Sequence, residues 1–354
     1  MECGRGALEN MEGLNPTAES KGFWKNRAVL ITGGDGFVGS RLGHALMEQG
    51  SRVFLLGSKE RLPELDPASR ALVSRSTYVC GDIRDRALME QMLAGHRIQT
   101  VFHLAAKAIV GEALGDPTEA LDINVRGTWT VLEAARSAAK DAEIVVASSD
   151  KAYGSHRNLP YQEDYPLQGR NPYDCSKSCA DLVAQMYAET YGLNIAITRC
   201  ANIYGGGDVH FSRLIPDTIR SIHYGKSPVI RSDGLFRRDY VYIADIVSAY
   251  RATAEWLGGK NQKKGEAFNF GTNASHEARD VVEKISRLMR SSLPPVILAE
   301  ARYEIRDQYL NAEKARTALG WSPRFTLDEG LKETVSWYQD FFTRQDNAQK
   351  SAGA

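Results

Sequence analysis

The stretch that most limits what this chain can become is Thr32-Gly33-Gly34-Asp35-Gly36-Phe37-Val38-Gly39-Ser40. An apolar run, Ala28-Val29-Leu30-Ile31, comes immediately before it, and Arg41 to Gly50 follows with helical spacing and a stop on glycine. Glycines at Gly33, Gly36 and Gly39 (or Gly34, Gly36 and Gly39) let a backbone turn sharply from strand into helix. They also let it approach a pyrophosphate, whose charge sits on the helix N-terminus. A glycine string alone is a weak sign. Between a first strand and a first helix it predicts a dinucleotide site, with Gly33, Gly36, Phe37, Val38 and Gly39 at the cofactor.

The rest of the chain agrees with that start. Strand-like runs recur at Arg52 to Leu56, Thr77 to Val79, Thr100 to Leu104, Ile144 to Ala147, Ala196 to Arg199 and Ala267 to Phe270. Helical patterns separate them, including a long one from Ala120 to Ala139. This alternation predicts an α/β fold with a doubly wound parallel sheet covered on both faces. Residues 23–205 and 239–272 are expected to form the Rossmann-type domain. A smaller lobe is expected from 206–238 and 273–345, with 1–22 as a mobile leader and 346–354 as a tail. After the second strand an acidic residue usually bonds the ribose hydroxyls of NAD. Gly57 stands there instead, followed by Ser58, Lys59 and Arg61. NADP therefore stays open beside NAD, since those cations would meet a 2′-phosphate.

Charge decides what else the chain can bind. Lys plus Arg equal Asp plus Glu at 44 each, so no long-range field draws in nucleic acid or an anionic membrane. An anionic ligand must be held by local groups. No apolar run approaches the roughly 20 residues of a membrane span, and no signal-peptide pattern opens the chain. The five cysteines, Cys3, Cys80, Cys175, Cys179 and Cys200, include no CxxC pair and are odd in number. That suits reduced thiols in a cytoplasm. Cys175 and Cys179 read as packing on a buried helix face rather than as metal ligands, and no metal site is expected.

A second stretch carries the chemistry. The strand Ile144 to Ala147 ends in Ser148-Ser149-Asp150-Lys151, and after a loop rich in Pro and Gly a helix opens with Tyr173 and Lys177. Four residues apart on a helix means one face. The ammonium is expected to lower the pKa of the phenol, making Tyr173 a base near neutral pH, with Ser149 sharing the proton. Such a spacing also arises by chance, and the upstream dinucleotide turn is what gives the pair meaning.

Together these motifs resemble the extended short-chain dehydrogenase/reductase family that acts on nucleotide sugars. The resemblance runs from Trp24 to about Tyr338. It rests on Thr32-Gly33-x-x-Gly36-x-x-Gly39, Gly81-Asp82-Ile83-Arg84-Asp85, His103-Leu104-Ala105-Ala106, Asn124-Val125-x-Gly127-Thr128 and Tyr173-x-x-x-Lys177. Arg199-x-x-Asn202-x-Tyr204-Gly205, Arg238-Asp239-Tyr240-Val241 and Leu319-Gly320-Trp321 continue it. The resemblance implies that Asp82, with Ile83 beside it in the cofactor site, bonds the adenine and that Leu104, Ala105 and Ala106 line the pyrophosphate. It makes Asn124 a brace for the active-site helices, Tyr173 the base at the sugar hydroxyl and Lys177 the holder of the nicotinamide ribose. Ser149 would bond the substrate oxygen, and Asn202 and Arg238 would grip the nucleotide diphosphate, with Arg213 a further substrate-binding residue. A surface ion pair with Asp239 is the alternative for Arg238. The family also implies a homodimer, through a four-helix bundle built on the helices near Ala120 and Tyr173.

Within the family the pair after Ser149 separates reactions. Asp150-Lys151 is similar to the Asp-Lys pair of CDP-glucose 4,6-dehydratases, as are Gly205-Gly206-Gly207-Asp208, Arg213-Leu214-Ile215-Pro216-Asp217 and Phe23-Trp24. In that role Asp150 would protonate the departing C6 hydroxyl. Lys151 would remove the C5 proton once burial and its cationic neighbours favour the neutral amine. The alternative for this pair is a simple contact with each other or with solvent. Gly154 to Gln168 is shorter than the loop of the CDP-glucose enzymes, which leaves the nucleotide and sugar open. A nucleotide-sugar 4-epimerase with the same hydride shuttle is the competing enzyme. A non-catalytic cofactor-binding scaffold is the third reading, against which the intact Ser149, Tyr173 and Lys177 stand.

Overall fold

The computed structural model describes residues 22–58, 67–259, 262–301 and 304–352. The expected leader, apart from Gly22, and the cations Lys59 and Arg61 lie outside them. The first half alternates strand and helix: β1 (Ala28–Thr32), α1 (Phe37–Glu48), β2 (Arg52–Gly57), α2 (Pro67–Arg75), β3 (Thr77–Cys80), α3 (Arg86–Gly95) and β4 (Thr100–His103). Two short helices, α4 (Val110–Gly115) and α5 (Pro117–Leu121), precede α6 (Gly127–Ala138), β5 (Glu143–Ser149), α7 (Pro172–Tyr191) and β6 (Ile195–Cys200). The second half contains β7 (Asn202–Tyr204), α8 (Leu214–His223), β8 (Val229–Ile230), β9 (Arg237–Arg238), β10 (Tyr240–Tyr242) and α9 (Ile243–Leu257). It ends with β11 (Glu266–Phe270), β12 (His276–Glu277), α10 (Ala278–Leu288), β13 (Val296–Ile297), β14 (Asp307–Gln308), α11 (Glu313–Leu319) and α12 (Leu327–Ala352).

Seven strands form one sheet in the order β3-β2-β1-β4-β5-β6-β11, and every neighbouring pair is parallel. Side chains on a strand alternate between faces, so a strand buried on both reads as one apolar run. In β1, Val29 and Ile31 join a core with Leu42, Phe102, Val145 and Val247. Ala28 and Leu30 point the other way, into a core with Val101, Val131, Ile144 and Ala184. Winding reverses between β1 and β4, which opens a crevice at the carboxyl ends of those strands, the place where open α/β sheets bind ligands. A third core gathers Tyr204, Ile215, Ile219, Ile285, Leu331 and Tyr338 from α8, α10, α12 and β7.

One helix departs from its expected course. The pattern from Ala120 to Ala139 is not continuous, because Asp122–Arg126 is wound as a π-helical turn between α5 and α6. The wider turn allows Asn124 to face inward. Its Oδ1 accepts from the Lys107 amide at 2.8 Å, and its Nδ2 donates to Ser176 Oγ at 2.8 Å and to the Lys107 carbonyl at 3.2 Å. Asn124 thus ties the segment after β4 to α7. Insertions of this kind cluster at functional sites. Among the described residues no helix is long and apolar enough to cross a membrane.

Candidate active site

The glycine turn is fastened to the sheet before it reaches the helix. The amides of Gly33 and Gly34 donate to the Leu56 carbonyl at 2.8 and 3.2 Å, and the Gly36 amide donates to the Gly33 carbonyl at 3.0 Å. Gly33 has φ of +70°, and a Cβ there would sit 2.9 Å from the Cα and the amide nitrogen of Ala105. A side chain on Gly39 would strike the Gly33 carbonyl. Glycine at these positions keeps the cradle open while Leu104 and Ala105 close one side of it. Helix α1 begins after Gly36 with no side-chain cap and no acidic residue in its first turn. Its first amides, including those of Phe37 and Val38, therefore remain donors for an anion, and the helix dipole adds to the attraction. This cradle fits a dinucleotide pyrophosphate.

His103, at the end of β4, secures the same region. Its Nδ1 lies 2.8 Å from Thr32 Oγ1 and its Nε2 lies 3.0 Å from Thr128 Oγ1. Burial, with the charge of Lys177, pushes its pKa down to about 3, so it works as a neutral linker between β1, β4 and α6. Asp82 and Ile83 follow β3. Both carboxylate oxygens of Asp82 accept from Arg84, which also reaches Asp122 at 2.5 Å, while Ile83 is buried against Gly127.

Tyr173 and Lys177 stand one turn apart on α7, both buried. Pro172 occupies the first turn, where its missing N–H costs nothing, and Gly192 closes the helix in the left-handed region. The electrostatics differ from the sequence expectation. Burial pushes the Tyr173 phenol well above its ordinary value, and Asp150 and Asp174 add to that rise. The opposing pull comes first from Arg213 and then from a hydrogen bond with Ser149, not from Lys177. Lys177 donates to the Ala147 carbonyl at 2.8 Å, and burial pushes its own pKa down to about 8. In this environment Tyr173 is a phenol, and it can take a proton only while passing its own along.

A path for that proton exists. Ser149 Oγ donates to Asp150 Oδ1 at 3.0 Å and also acts on the Tyr173 phenol, so Ser149 stands between Tyr173 and Asp150. Asp150 opens the 3₁₀ turn Asp150–Tyr153 and is 1% exposed. Its Oδ2 is buried with no hydrogen-bond partner among the described residues. An orphaned carboxyl oxygen is costly, so its persistence calls for a reason. Lys151 Nζ lies 3.4 Å from Asp150 Oδ1 and 3.1 Å from Asn202 Oδ1. These two acceptors hold Nζ between Asp150 and Asn202.

The proposed anion grips are placed as follows. Arg213 pairs with Asp208 at 2.7 Å yet remains close enough to act on Tyr173. Arg238 does not pair with its neighbour Asp239, as one reading of the sequence had it. Strand pairing sends the Arg238 guanidinium the other way, to the Arg306 carbonyl at 2.8 Å and to Glu304 at 3.2 Å. Asp239 is buried and accepts from the amide and hydroxyl of Thr272. Cys175 and Cys179 are half-buried rather than buried, because their side of α7 faces outward.

Two acids escaped the sequence reading. Asp174 follows Tyr173 directly and is buried beside Asp150 and Lys151; burial raises its pKa to about 6, against the pull of Lys151. A charged residue next to the Tyr of a helix was the available signal. Asp35 lies inside the glycine turn, with its carboxylate over the end of β2. Its sign in the sequence was the missing acid at Gly57.

Known proteins share much of this sequence and its fold. Residues 30–334 match the family model described as GDP-mannose 4,6 dehydratase. A CDP-glucose 4,6-dehydratase of Salmonella typhimurium is 31% identical over 342 residues, covering 92% of this chain and 94% of the relative. A UDP-glucose 4-epimerase of Halalkalibacterium halodurans is 29% identical and covers 88% of this chain and 96% of its own. The crystal structure of a dTDP-glucose 4,6-dehydratase from Bacillus anthracis in complex with NAD superposes with a TM-score of 0.78 at 28% identity, over 89% of this chain and 97% of that one. Match length, coverage and fold agree, and the chain belongs to the GDP-mannose 4,6-dehydratase family of nucleotide-sugar enzymes.

Proposed function

We propose that this protein is an NAD-dependent nucleotide-sugar 4,6-dehydratase that converts a nucleoside-diphosphate hexose to its 4-keto-6-deoxy product. The observation that carries this reading is Asp150, a buried acid with an unpartnered oxygen, joined through Ser149 to Tyr173 and touching Lys151. An epimerase needs only Ser149 and Tyr173. Loss of water needs an acid and a base as well.

Bound NAD would supply the hydride acceptor for C4 and the hydride donor for C6. As C4 is oxidised, Tyr173 accepts the O4 proton and hands its own through Ser149 to the Asp150 carboxylate. Asp150, now protonated, donates to the C6 hydroxyl, which leaves as water while the neutral amine of Lys151 takes the C5 proton. Lys151 gives that proton back to C5 when the hydride arrives at C6. Every side chain then returns to its starting state, and the O4 proton has departed in the water. The smaller core, with Arg238, Arg213 and Asn202 facing this chemistry, is the proposed seat of the nucleotide diphosphate, and residues 206–238 and 273–345 are its lobe.

The CDP-glucose relative and the Asp150-Lys151 pair favour a CDP-sugar among substrates. Incubation with CDP-, UDP-, dTDP- and GDP-linked glucose, mannose and N-acetylglucosamine, read by mass spectrometry, tests the reading. One member is expected to yield a product lighter by one water. Conversion at constant mass would establish the epimerase, the second reading that the Halalkalibacterium halodurans relative and the short Gly154 to Gln168 loop favour. A homodimer completes the proposal. Helices α6 and α7 expose Trp129 (43%) and Leu182 (53%) together with Met186, an apolar surface fit to pair with its own copy. Sedimentation at micromolar concentration is expected to show a dimer, and a monomer would remove this part.

A further inference from the structure

The end of β2 carries no acid of its own, but a carboxylate from the glycine turn lies against it. Gly57 is the last residue of β2, and a Cβ built on it would stand 2.6 Å from both carboxylate oxygens of Asp35. No side chain can occupy position 57 while Asp35 keeps its place. The contact follows from the way the turn is fastened: Gly33 and Gly34 both donate to the Leu56 carbonyl, which lays the next residue, Asp35, across the strand end. On the next strand the Tyr78 hydroxyl donates to Asp35 Oδ2 at 3.4 Å. Asp35 is buried, so its position is set by packing as well as by hydrogen bonding.

We infer that Asp35 does the work of the strand-end acid, binding the adenosine ribose hydroxyls and excluding a 2′-phosphate, so that this protein selects NAD over NADP. A carboxylate at the carboxyl end of the second strand accepts from the ribose hydroxyls. It repels a phosphate dianion placed at the same site, and repulsion of the wrong ligand is an effective source of specificity. Reading the sequence by position alone gives the opposite impression, because Gly57 looks permissive for NADP. The inference rests on the dinucleotide part of the proposed function and is indifferent to the fate of the sugar.

Equilibrium dialysis of the full chain against NAD and NADP together, with bound nucleotide released by acid and counted by mass spectrometry, tests this without turnover. Wild type is expected to favour NAD by about ten-fold or more, and Asp35→Asn, which keeps the shape and removes the charge, to reduce that ratio by about ten-fold. Asp35→Ser combined with Gly57→Asp returns the acid to the strand and is expected to restore the preference. An unchanged ratio in Asp35→Asn, with a melting temperature like that of wild type, would overturn the role of Asp35 alone. Binding of neither nucleotide by wild type would instead remove the dinucleotide reading beneath it. Should Asp35→Asn melt early, the double variant carries the test, and its failure to favour NAD overturns the inference.

Discussion

Two acid–base pairs, Arg199–Asp181 and Lys151–Asp150, are built to opposite standards, the first buried and the second with its lysine half-buried. Arg199 and Asp181 join β6 to α7 through two hydrogen bonds, Nε to Oδ2 at 2.9 Å and an Nη to Oδ1 at 3.0 Å. The guanidinium also donates to the Tyr153 hydroxyl and the Glu163 carbonyl, both at 2.9 Å, and Tyr153 passes the chain on to Asn269 at 2.7 Å. Lys151 and Asp150 have one contact, at 3.4 Å, and an oxygen left over. A saturated pair holds its protons and its geometry. An unsaturated one keeps a vacancy that a reacting group can fill, and its cost in stability is the expected signature of a working site.

Breaking the saturated pair should have the largest effect on the fold. Asp181→Ala leaves the Arg199 charge buried and is expected to cost about 3–5 kcal/mol in urea unfolding, a large share of a typical net stability. A loss under about 1 kcal/mol would mean that the two pairs are not so different. Asp150→Asn should do the reverse, leaving the urea midpoint at or above that of wild type and slowing water loss about 10²–10⁴-fold. Lys151→Met isolates the second half of the reaction. Solvent deuterium at C5 of recovered substrate should vanish while reduced cofactor still appears on mixing, and a normal rate of dehydration would assign the base elsewhere.

A smaller effect concerns pH. Burial raises Asp239 from 3.8 to about 7, with its Thr272 hydrogen bonds opposing the shift. Between those values the folded protein holds a proton that the unfolded chain has released, so this group lowers stability as pH rises through that range. Asp239→Asn is expected to be more stable than wild type at about pH 8 and equal to it below about pH 4, read from urea midpoints. Equal midpoints at both would show that Asp239 ionises without cost.

Patterns that repeat along the chain were legible before the structure. Apolar runs at β1, β4, β5 and β6 and the glycine turn specify the sheet, because burial on both faces leaves no polar alternation to misread. Tyr173 and Lys177 were legible for a similar reason, since helix spacing alone brings them together. What escaped depends on three-dimensional crowding. The rise in Tyr173 reflects the walls around it, which its spacing to Lys177 does not encode. The π turn at Asn124 answers to partners at Lys107 and Ser176, distant in sequence. Asp35 could not be matched to Gly57 without knowing that the turn folds back on β2.

The third core has a consequence for the order in which the protein is made. The seven-stranded sheet has all its strands once Phe270 has emerged, but the core around Ile215 and Ile285 still lacks Leu331, Val335, Tyr338 and Phe342 of α12. The Tyr338 hydroxyl also reaches back to the Asp208 carbonyl, and Gly330 leaves room for the Tyr204 ring. Domains fold as units while the chain is still growing. A nascent chain therefore has every strand beneath its dinucleotide cradle while the opposite wall of the cleft is still waiting for its last helix.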